Sequence, residues 1–208
     1  MLDETPRIPT PSEPTNNPQG EPSLRQELGA FIWETVKIVA ISLVIIFPIR
    51  YYLLQPFFVK GASMESNFQD GDYIFVDELS YELGPPHRGD VVVFRYPLDQ
   101  TQFFIKRVIG LPGETVEIKE NKVFIYNAAH PNGMVLPEPY LDKDQQTQGL
   151  LKMKLDDNEY FVMGDNRLRS SDSRRWGPVN RSLITGRAFV RLWPWSEGFS
   201  IPHITYPL

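Results

Sequence analysis

A lysine inside an apolar run is the first residue that could perform acid–base chemistry. Lys106 lies in the strand-like run from Phe104 to Gly110. Alternate residues of a strand share a face, so Lys106 would lie between Phe104 and Val108. Burial there would disfavour the ammonium and lower its pKa, leaving a neutral amine that can act as a base. A lysine that extends from a sheet edge into solvent is the alternative interpretation.

A serine among small residues is the candidate nucleophile. Ser63 follows Gly61 and Ala62 and precedes Met64. Small residues allow backbone to approach a substrate carbonyl, and the Ser63 N–H could stabilise an oxyanion. The hydroxyl needs a base, and the chain has no cysteine and three scattered histidines outside any zinc spacing. The best available base is therefore Lys106, and no metal site is predicted; a plain turn is the alternative for Ser63.

The third candidate is a polar block of pattern GDNRxxSxDSR from Gly164 to Arg174, directly after an apolar run. Ser170 could hydrogen-bond the lysine and hold it in line. Two supporting ion pairs are possible, Asp172 with Arg174 and Asp165 with Arg107. A solvated loop of aspartates and arginines is the alternative. Neither a Walker-type phosphate loop nor a GxSxG elbow is present in the sequence.

Short β-type runs surround these residues and must position them. They cover residues 73–76, 91–94, 103–109, 116–118, 123–126, 160–163 and 188–192. Glu120 and Asn121 lie between two of the runs as a hairpin turn. The polar stretch 127–158 indicates a loop-rich excursion or small lobe. The spacing favours a mainly β fold with an antiparallel sheet, not a βαβ unit.

The long apolar segment before the strands is a candidate membrane span. Residues 38–49 carry no charge, and a helix from Ile32 to Leu54 would reach about 35 Å, enough to cross a bilayer. Lys37 and Arg50 could extend to the two interfaces, with Glu34 paired to Lys37. A buried helix and a signal-peptide core are the alternatives; the acidic leader of over thirty residues disfavours the second. The positive charges do not decide the orientation.

The N-terminal tail and the net charge bear on order and on the kind of partner. Residues 1–28 include six prolines before Leu24, among polar residues, and predict a disordered tail because they cannot bury enough apolar area. The net charge of −5 argues against nucleic acid as the main partner.

Five blocks in this order resemble bacterial type I signal peptidases, a family of serine–lysine proteases. The blocks are residues 61–64, 71–72, 88–91, 104–113 and 164–174. The resemblance extends over about residues 29–195. It implies that Ser63 is the nucleophile, Lys106 the general base and Ser170 the residue that orients the lysine. Asp172, Arg174, Arg107 and Asp165 match supporting residues of the family.

The same resemblance implies an organisation and a substrate. Residues 1–28 would be a cytoplasmic tail, 29–56 a single transmembrane helix with its flanks, and 57–208 an extracytoplasmic catalytic domain with a small β insertion at about 115–158. The enzyme would lie in the plasma membrane in contact with lipid and remove signal peptides at A-x-A sites of exported precursors. It implies no cofactor, no nucleic acid and no particular oligomer.

Several positions depart from the family pattern. Gly61 lacks the hydroxyl that some members use in the oxyanion hole, so only backbone N–H groups such as those of Gly61 and Ser63 could serve. Residues 64–68 read Met-Glu-Ser-Asn-Phe where the family usually has Met-x-Pro-Thr-Leu, and Leu168-Arg169 replaces a short polar pair. The candidate substrate pocket is Val59, Met64, Phe68, Phe104 and Ile105. The run 193–195 is expected to rest against the lipid interface.

Two other functions remain open at this point. A self-cleaving Ser–Lys protease of the repressor type shares the chemistry, but those chains carry a DNA-binding domain where this one has an apolar segment. A membrane-anchored peptide-binding homologue that has lost catalysis is the non-enzymatic alternative.

Overall fold

The chain divides into two compact parts, one ending at residue 45 and the other beginning at residue 46. The structure, a computed structural model, describes residues 24–48, 54–65, 67–143, 145–194, 204 and 206. The disorder predicted for residues 1–23 therefore lies outside the described residues, as do Ser66 and Trp195.

The N-terminal apolar segment forms helix α1, Leu24–Pro48. The helix begins before the predicted boundary at residue 29, because residues 24–28 contain no proline and are good helix formers. The predicted continuation of the helix to Leu54 is wrong, since Leu54 already belongs to a strand. Pro48, which has no backbone N–H to donate, stands at the last described helical position.

The surface of α1 is apolar over most of its length. Phe31 and Val44 are 70% and 72% exposed, and the most apolar 18-residue window of the helix has a mean hydropathy of 2.1. Glu34 and Lys37 form the predicted pair, at 2.6 Å. By length and composition α1 could cross a membrane.

After α1, the described residues form eleven strands and two short helices, which are joined by turns and loops. The strands are β1 Leu54–Phe58, β2 Tyr73–Asp77, β3 Val91–Tyr96, β4 Asp99–Gly110, β5 Thr115–Lys119, β6 Lys122–Tyr126, β7 Met134–Val135, β8 Leu151–Lys154, β9 Glu159–Met163, β10 Val179–Asn180 and β11 Ile184–Trp193. The helices are α2 Leu79–Leu83 and α3 Ser173–Trp176, and a 3₁₀ turn covers Arg181–Leu183. The mainly β prediction is confirmed, and each predicted strand is present.

Two antiparallel sheets result from these strands. The larger has the order β1-β2-β11-β3-β4-β9-β10, and the smaller, β7-β6-β5-β8, comes from residues between β4 and β9. The stretch 127–158 therefore contributes β7 and β8 as well as loops. Glu120 and Asn121 have φ of 51° and 58°, as a type I′ turn between β5 and β6 requires.

Alternate residues of β3 supply two separate cores on the faces of the larger sheet. Val91 and Val93 pack with Ile105 of β4 and with residues that flank Ser63. Val92 and Phe94 pack with Val108 and Tyr160. A third core lies under the smaller sheet, with Ile109, Ile118, Ile125, Leu155 and Phe161 among its members. Strand β4 contributes to all three cores, which makes it a firm support for Lys106.

Candidate active site

The side chains of Ser63 and Lys106 meet, although they are 43 residues apart in sequence. Lys106 comes from the middle of β4, and Ser63 from the loop between β1 and β2. The Lys106 Nζ donates to the Ser63 Oγ over 2.7 Å and to the Ile105 carbonyl oxygen over 2.8 Å. The contact places an amine within proton-transfer distance of a hydroxyl.

Lys106 is buried, as the sequence predicted. The residue is 4% exposed, and its Nζ lies 5.4 Å from the ring centroid of Phe104. Burial lowers the pKa of Lys106 from 10.5 to about 8, against the opposing charges of Asp172 and Asp165. The alternative of a solvent-exposed lysine is therefore wrong, and a useful fraction of the amine is neutral at mildly alkaline pH.

Two buried side chains hold the Ser63 loop. Met64 and Phe68 are both fully buried in the core that contains Val91 and Ile105, and the Phe68 N–H donates to the Met64 carbonyl over 2.9 Å. The Asn166 N–H donates to the Ser63 carbonyl over 3.1 Å. The loop that carries Ser63 is thus held by the core on one side and by the segment Gly164–Asn166 on the other.

The Gly61 N–H is not free to bind an oxyanion. It donates to Asp70 Oδ1 over 2.6 Å, so this part of the sequence-based expectation needs correction. Gly61 has a φ of +84°, a conformation that favours glycine. The Ser63 N–H has no hydrogen-bond acceptor among the described residues, which leaves it available to a substrate carbonyl.

Asp172 organises the end of the third block. Its carboxylate accepts from Arg174 Nε and Nη2, both at 2.8 Å, and from the Gly164 N–H at 3.0 Å. It also caps α3 by accepting from the Arg174 N–H. Burial raises the pKa of Asp172, but the hydrogen bonds and charge of Arg174 outweigh it and lower the pKa below its usual value. The predicted ion pair is present and ionised.

Arg107 and Asp165 form the second predicted pair, at the centre of the domain. Arg107 Nε and Nη2 donate to the two Asp165 oxygens over 2.8 and 2.6 Å. Arg107 Nη1 donates to the Gly89 carbonyl over 2.8 Å, and the guanidinium lies 4.1 Å from the centroid of the Tyr140 ring. Both partners are essentially unexposed, so the pair fixes the backbone next to Lys106 on β4.

Ser170 is buried close to the dyad loop but does not bond the lysine directly. A Cβ built on Gly164 would lie 2.2 Å from the Ser170 Oγ and 2.4 Å from the Ser63 carbonyl oxygen. Within the described residues no hydrogen bond joins Ser170 to Lys106. Its Oγ is buried and has no hydrogen-bond partner among the described residues, and its predicted role in orienting the lysine stays a prediction.

A cleft of about 640 Å³ opens at the dyad. Ser63, Lys106 and three of the predicted pocket residues, Val59, Phe104 and Ile105, line it. The assignment of Met64 and Phe68 to the pocket is wrong, since both side chains point into the core. The lining also includes residues that the sequence did not single out for the pocket, among them Phe57, Phe58, Ile74, Val93, Gln102 and Phe103. Strand β1 ends in two of these residues, Phe57 and Phe58, and sequence reasoning missed it because it follows the apolar segment closely.

A hydrogen-bond network that the sequence did not indicate joins the third block to the stretch 127–158. Arg167 is 2% exposed and donates to both carboxylate oxygens of Glu138 and to the hydroxyls of Thr147 and Tyr140. Burial of so many polar groups is tolerated because each has a partner. The only sequence signal was the position of Arg167 inside the block.

The comparisons with known proteins all found similarity to signal peptidases. The model of the family described as signal peptidase, peptidase S26, matches residues 32–193. Signal peptidase I of Leptolyngbya laminosa is 35% identical over 195 residues, covering 89% of this chain and 90% of its own. Signal peptidase IB of Staphylococcus aureus (strain COL) is 31% identical over 177 residues, covering 80% of this chain and 92% of its own.

A solved structure is also similar. The crystal structure of a signal peptidase I from Enterococcus faecalis V583 is 32% identical, with a TM-score of 0.42, and the match covers 50% of this chain and 97% of that one.

Proposed function

Because the chain belongs to the peptidase S26 family of signal peptidases and is a serine endopeptidase that removes signal peptides, we propose that Ser63 and Lys106 carry out the cleavage. The observation that carries the proposal is the 2.7 Å contact between Lys106 Nζ and Ser63 Oγ. The lowered pKa of Lys106, about 8, supports a neutral amine as the base. The contact also favours an active enzyme over a peptide-binding homologue without catalysis.

In the first half of the reaction the neutral Lys106 amine takes the Ser63 proton. The Ser63 Oγ then attacks the scissile carbonyl carbon and forms a tetrahedral intermediate, whose oxyanion the Ser63 N–H can stabilise. The Lys106 ammonium gives its proton to the leaving amine of the mature protein. The C–N bond breaks, and the signal peptide remains as an ester on Ser63.

In the second half a water molecule replaces the leaving amine. Lys106 takes a proton from the water, the resulting hydroxide attacks the ester carbonyl, and the Ser63 Oγ leaves with the proton held by Lys106. The signal peptide departs with a new carboxylate, and the dyad returns to its starting state. In the free enzyme the bonds from Lys106 to Ser63 and to the Ile105 carbonyl orient the amine.

The cleft supports the A-x-A preference. Val59, Ile74, Val93 and Ile105 line it and are also packed in the core beneath, which gives the cleft a fixed apolar wall. Small residues at −3 and −1 would fit against this wall. Replacing the −1 alanine of a precursor by phenylalanine should block its cleavage.

The arrangement in the membrane follows the same proposal. Helix α1 would cross the plasma membrane once with residues 1–23 in the cytoplasm, and residues 57–208 would form an extracytoplasmic catalytic domain. Trp193, which is 61% exposed, supports contact of the domain with the lipid interface.

A precursor-processing assay with the purified protein in detergent tests the dyad. Ser63→Ala and Lys106→Ala should each abolish cleavage, while circular dichroism and the unfolding temperature remain those of a folded protein. Cleavage near the wild-type rate by either folded variant would overturn the proposed mechanism. A self-cleaving enzyme would differ by shortening its own chain in the absence of precursor.

A further inference from the structure

Asn67 links the nucleophile loop to the rest of the active site. It lies four residues after Ser63 and is half-buried. Its Nδ2 donates to Asp165 Oδ2 and to the Tyr140 carbonyl oxygen, each over 2.9 Å. Both partners are acceptors, so the amide nitrogen has to face them, and both of its hydrogens are used.

The acceptor Asp165 leads directly to the strand of the base. Asp165 binds Arg107 through both oxygens, and Arg107 follows Lys106 on β4. The hydrogen bond from Asn67 to Asp165, followed by the ion pair of Asp165 with Arg107, therefore connects the loop that carries Ser63 to the strand that carries Lys106. A second connection, from the Asn166 N–H to the Ser63 carbonyl, holds the loop at the nucleophile itself.

We propose that Asn67 is a positioning residue, which keeps Ser63 in register with Lys106 through Asp165 and Arg107. The inference depends on the proposed dyad. Residue 66 is serine where the family usually has proline, so the turn lacks the stiffness of a fixed φ. The Asn67 amide supplies a cross-link in its place. A displacement of about 1 Å between reacting groups can reduce a rate on the order of a hundredfold.

The chain contains a matched control. Asn127 is also half-buried; its Nδ2 donates over 2.9 Å to Glu114, and its Oδ1 accepts from the His130 N–H over 2.9 Å. Glu114 in turn forms a buried pair with Arg88 at 2.7 Å. The two asparagines thus make the same kind of bond to a carboxylate of an Arg–carboxylate pair. Asn127 belongs to the smaller lobe, and none of its partners contacts Ser63 or Lys106.

The experiment compares Asn67→Ala with Asn127→Ala in the full-length protein in detergent, with a purified precursor as substrate. We expect Asn67→Ala to lower kcat by about ten- to a hundredfold with KM within about twofold of wild type. Asn127→Ala should leave kcat within about twofold, although each variant loses two side-chain hydrogen bonds and should lose similar stability. Arg191 donates to the Asn67 backbone carbonyl, a bond that survives the side-chain change and helps the variant to fold.

Two results would overturn the inference: a wild-type kcat in Asn67→Ala, or an equal loss of kcat in Asn127→Ala. If Asn67→Ala does not fold, Asn67→Thr and Asn127→Thr replace the two alanine variants. The threonine hydroxyl keeps one hydrogen-bond donor, so we expect kcat to fall about threefold in Asn67→Thr. The same two results would overturn the inference. Failure of the dyad itself is recognised separately, by residual cleavage in Ser63→Ala.

Discussion

Lys106 is buried and contacts Ser63, the proposed nucleophile, so its titration should set the pH dependence of the enzyme. Since its pKa is lowered to about 8 and the base must be neutral, kcat/KM should rise about tenfold for each pH unit below 8 and level off above about pH 9. The measurement is kcat/KM from pH 6 to pH 10, with a peptide substrate that has no titrating side chain. A profile that is flat, or still rises at pH 10, would contradict a lysine base with this pKa.

The same burial should cost the protein stability. A shift from 10.5 to about 8 corresponds to about 3 kcal/mol between the charged and neutral forms. Between these two pH values the unfolded chain binds more protons than the folded one, so stability should increase as pH rises from 8 to 10.5. Below pH 8 both states are protonated, and the destabilisation is complete.

Lys106→Met tests this cost because methionine fills similar space without charge. The inactive variant should be more stable than wild type below pH 8, by about 1–3 kcal/mol after loss of the lysine hydrogen bonds is allowed for. The difference should shrink as pH rises towards 10. Urea unfolding at several pH values measures it, and a difference independent of pH would contradict the assignment.

Residue types indicated candidates for the chemistry but not the directions of the neighbouring side chains. Taken alone, the serine in a small-residue turn and the lysine in an apolar strand each had a plainer interpretation, and the resemblance to a family paired Ser63 with Lys106. Met64 and Phe68 were placed in the pocket by the resemblance to the family. In a turn, however, successive side chains point in different directions, and these two point into the core.

At the scale of elements, the turn after β9 decides how closely the third block approaches the nucleophile. Gly164 has no positive φ, so backbone strain is not the reason for glycine there. A Cβ at this position would lie 2.4 Å from the Ser63 carbonyl oxygen and 2.2 Å from the Ser170 Oγ. Glycine is required because backbone and a serine occupy the space.

Gly164→Ala should therefore push the Ser63 loop away from the block. We expect a loss of stability of about 1–3 kcal/mol from overpacking and a fall in kcat of about a hundredfold or more. Gly84→Ala is the control, since a Cβ there meets a single atom at 3.8 Å and the φ of −159° suits alanine. Processing kinetics and thermal unfolding of the two variants compare them. An active Gly164→Ala would contradict the close packing.

The strands that sequence reasoning missed lack the usual pattern. β1 contains Pro56, which disfavours a strand except at a sheet edge, where β1 in fact lies. β8 reads LKMK without a β-branched residue, and β7 and β10 have two residues each. The predicted strands, by contrast, are rich in valine, isoleucine and phenylalanine, which fit a half-buried pleated surface.

At the scale of the whole molecule, the site depends on contacts between distant parts of the chain. Ser63 and Lys106 are 43 residues apart, and Asn67 and Asp165 are 98 apart. Local periodicity cannot predict such pairs, and only the resemblance of several blocks in a fixed order suggested that they would meet. The Asn67 contact was not suggested because the family pattern has another residue there.

The remaining whole-molecule property is attachment to the membrane through α1. Residues 24–47 would extend about 36 Å as a helix, and the uncharged part of the helix lies between Lys37 and Pro48. Such a segment should remain in the membrane during carbonate extraction and be released by detergent. Release by carbonate alone would contradict a spanning helix.

Charge placed in the middle of α1 provides the decisive comparison. Ile41 and Val44 are 59% and 72% exposed, and an aspartate at each would cost about 2.5–3.5 kcal/mol near a bilayer centre. Ile41→Asp combined with Val44→Asp should therefore shift the protein to the carbonate-soluble fraction, whereas Ile41→Leu with Val44→Leu should leave it bound. Neither position belongs to the cores of the sheets, so both double variants should still cleave a detergent-solubilised precursor. If the doubly charged variant stayed in the membrane fraction, another part of the chain would have to provide the attachment.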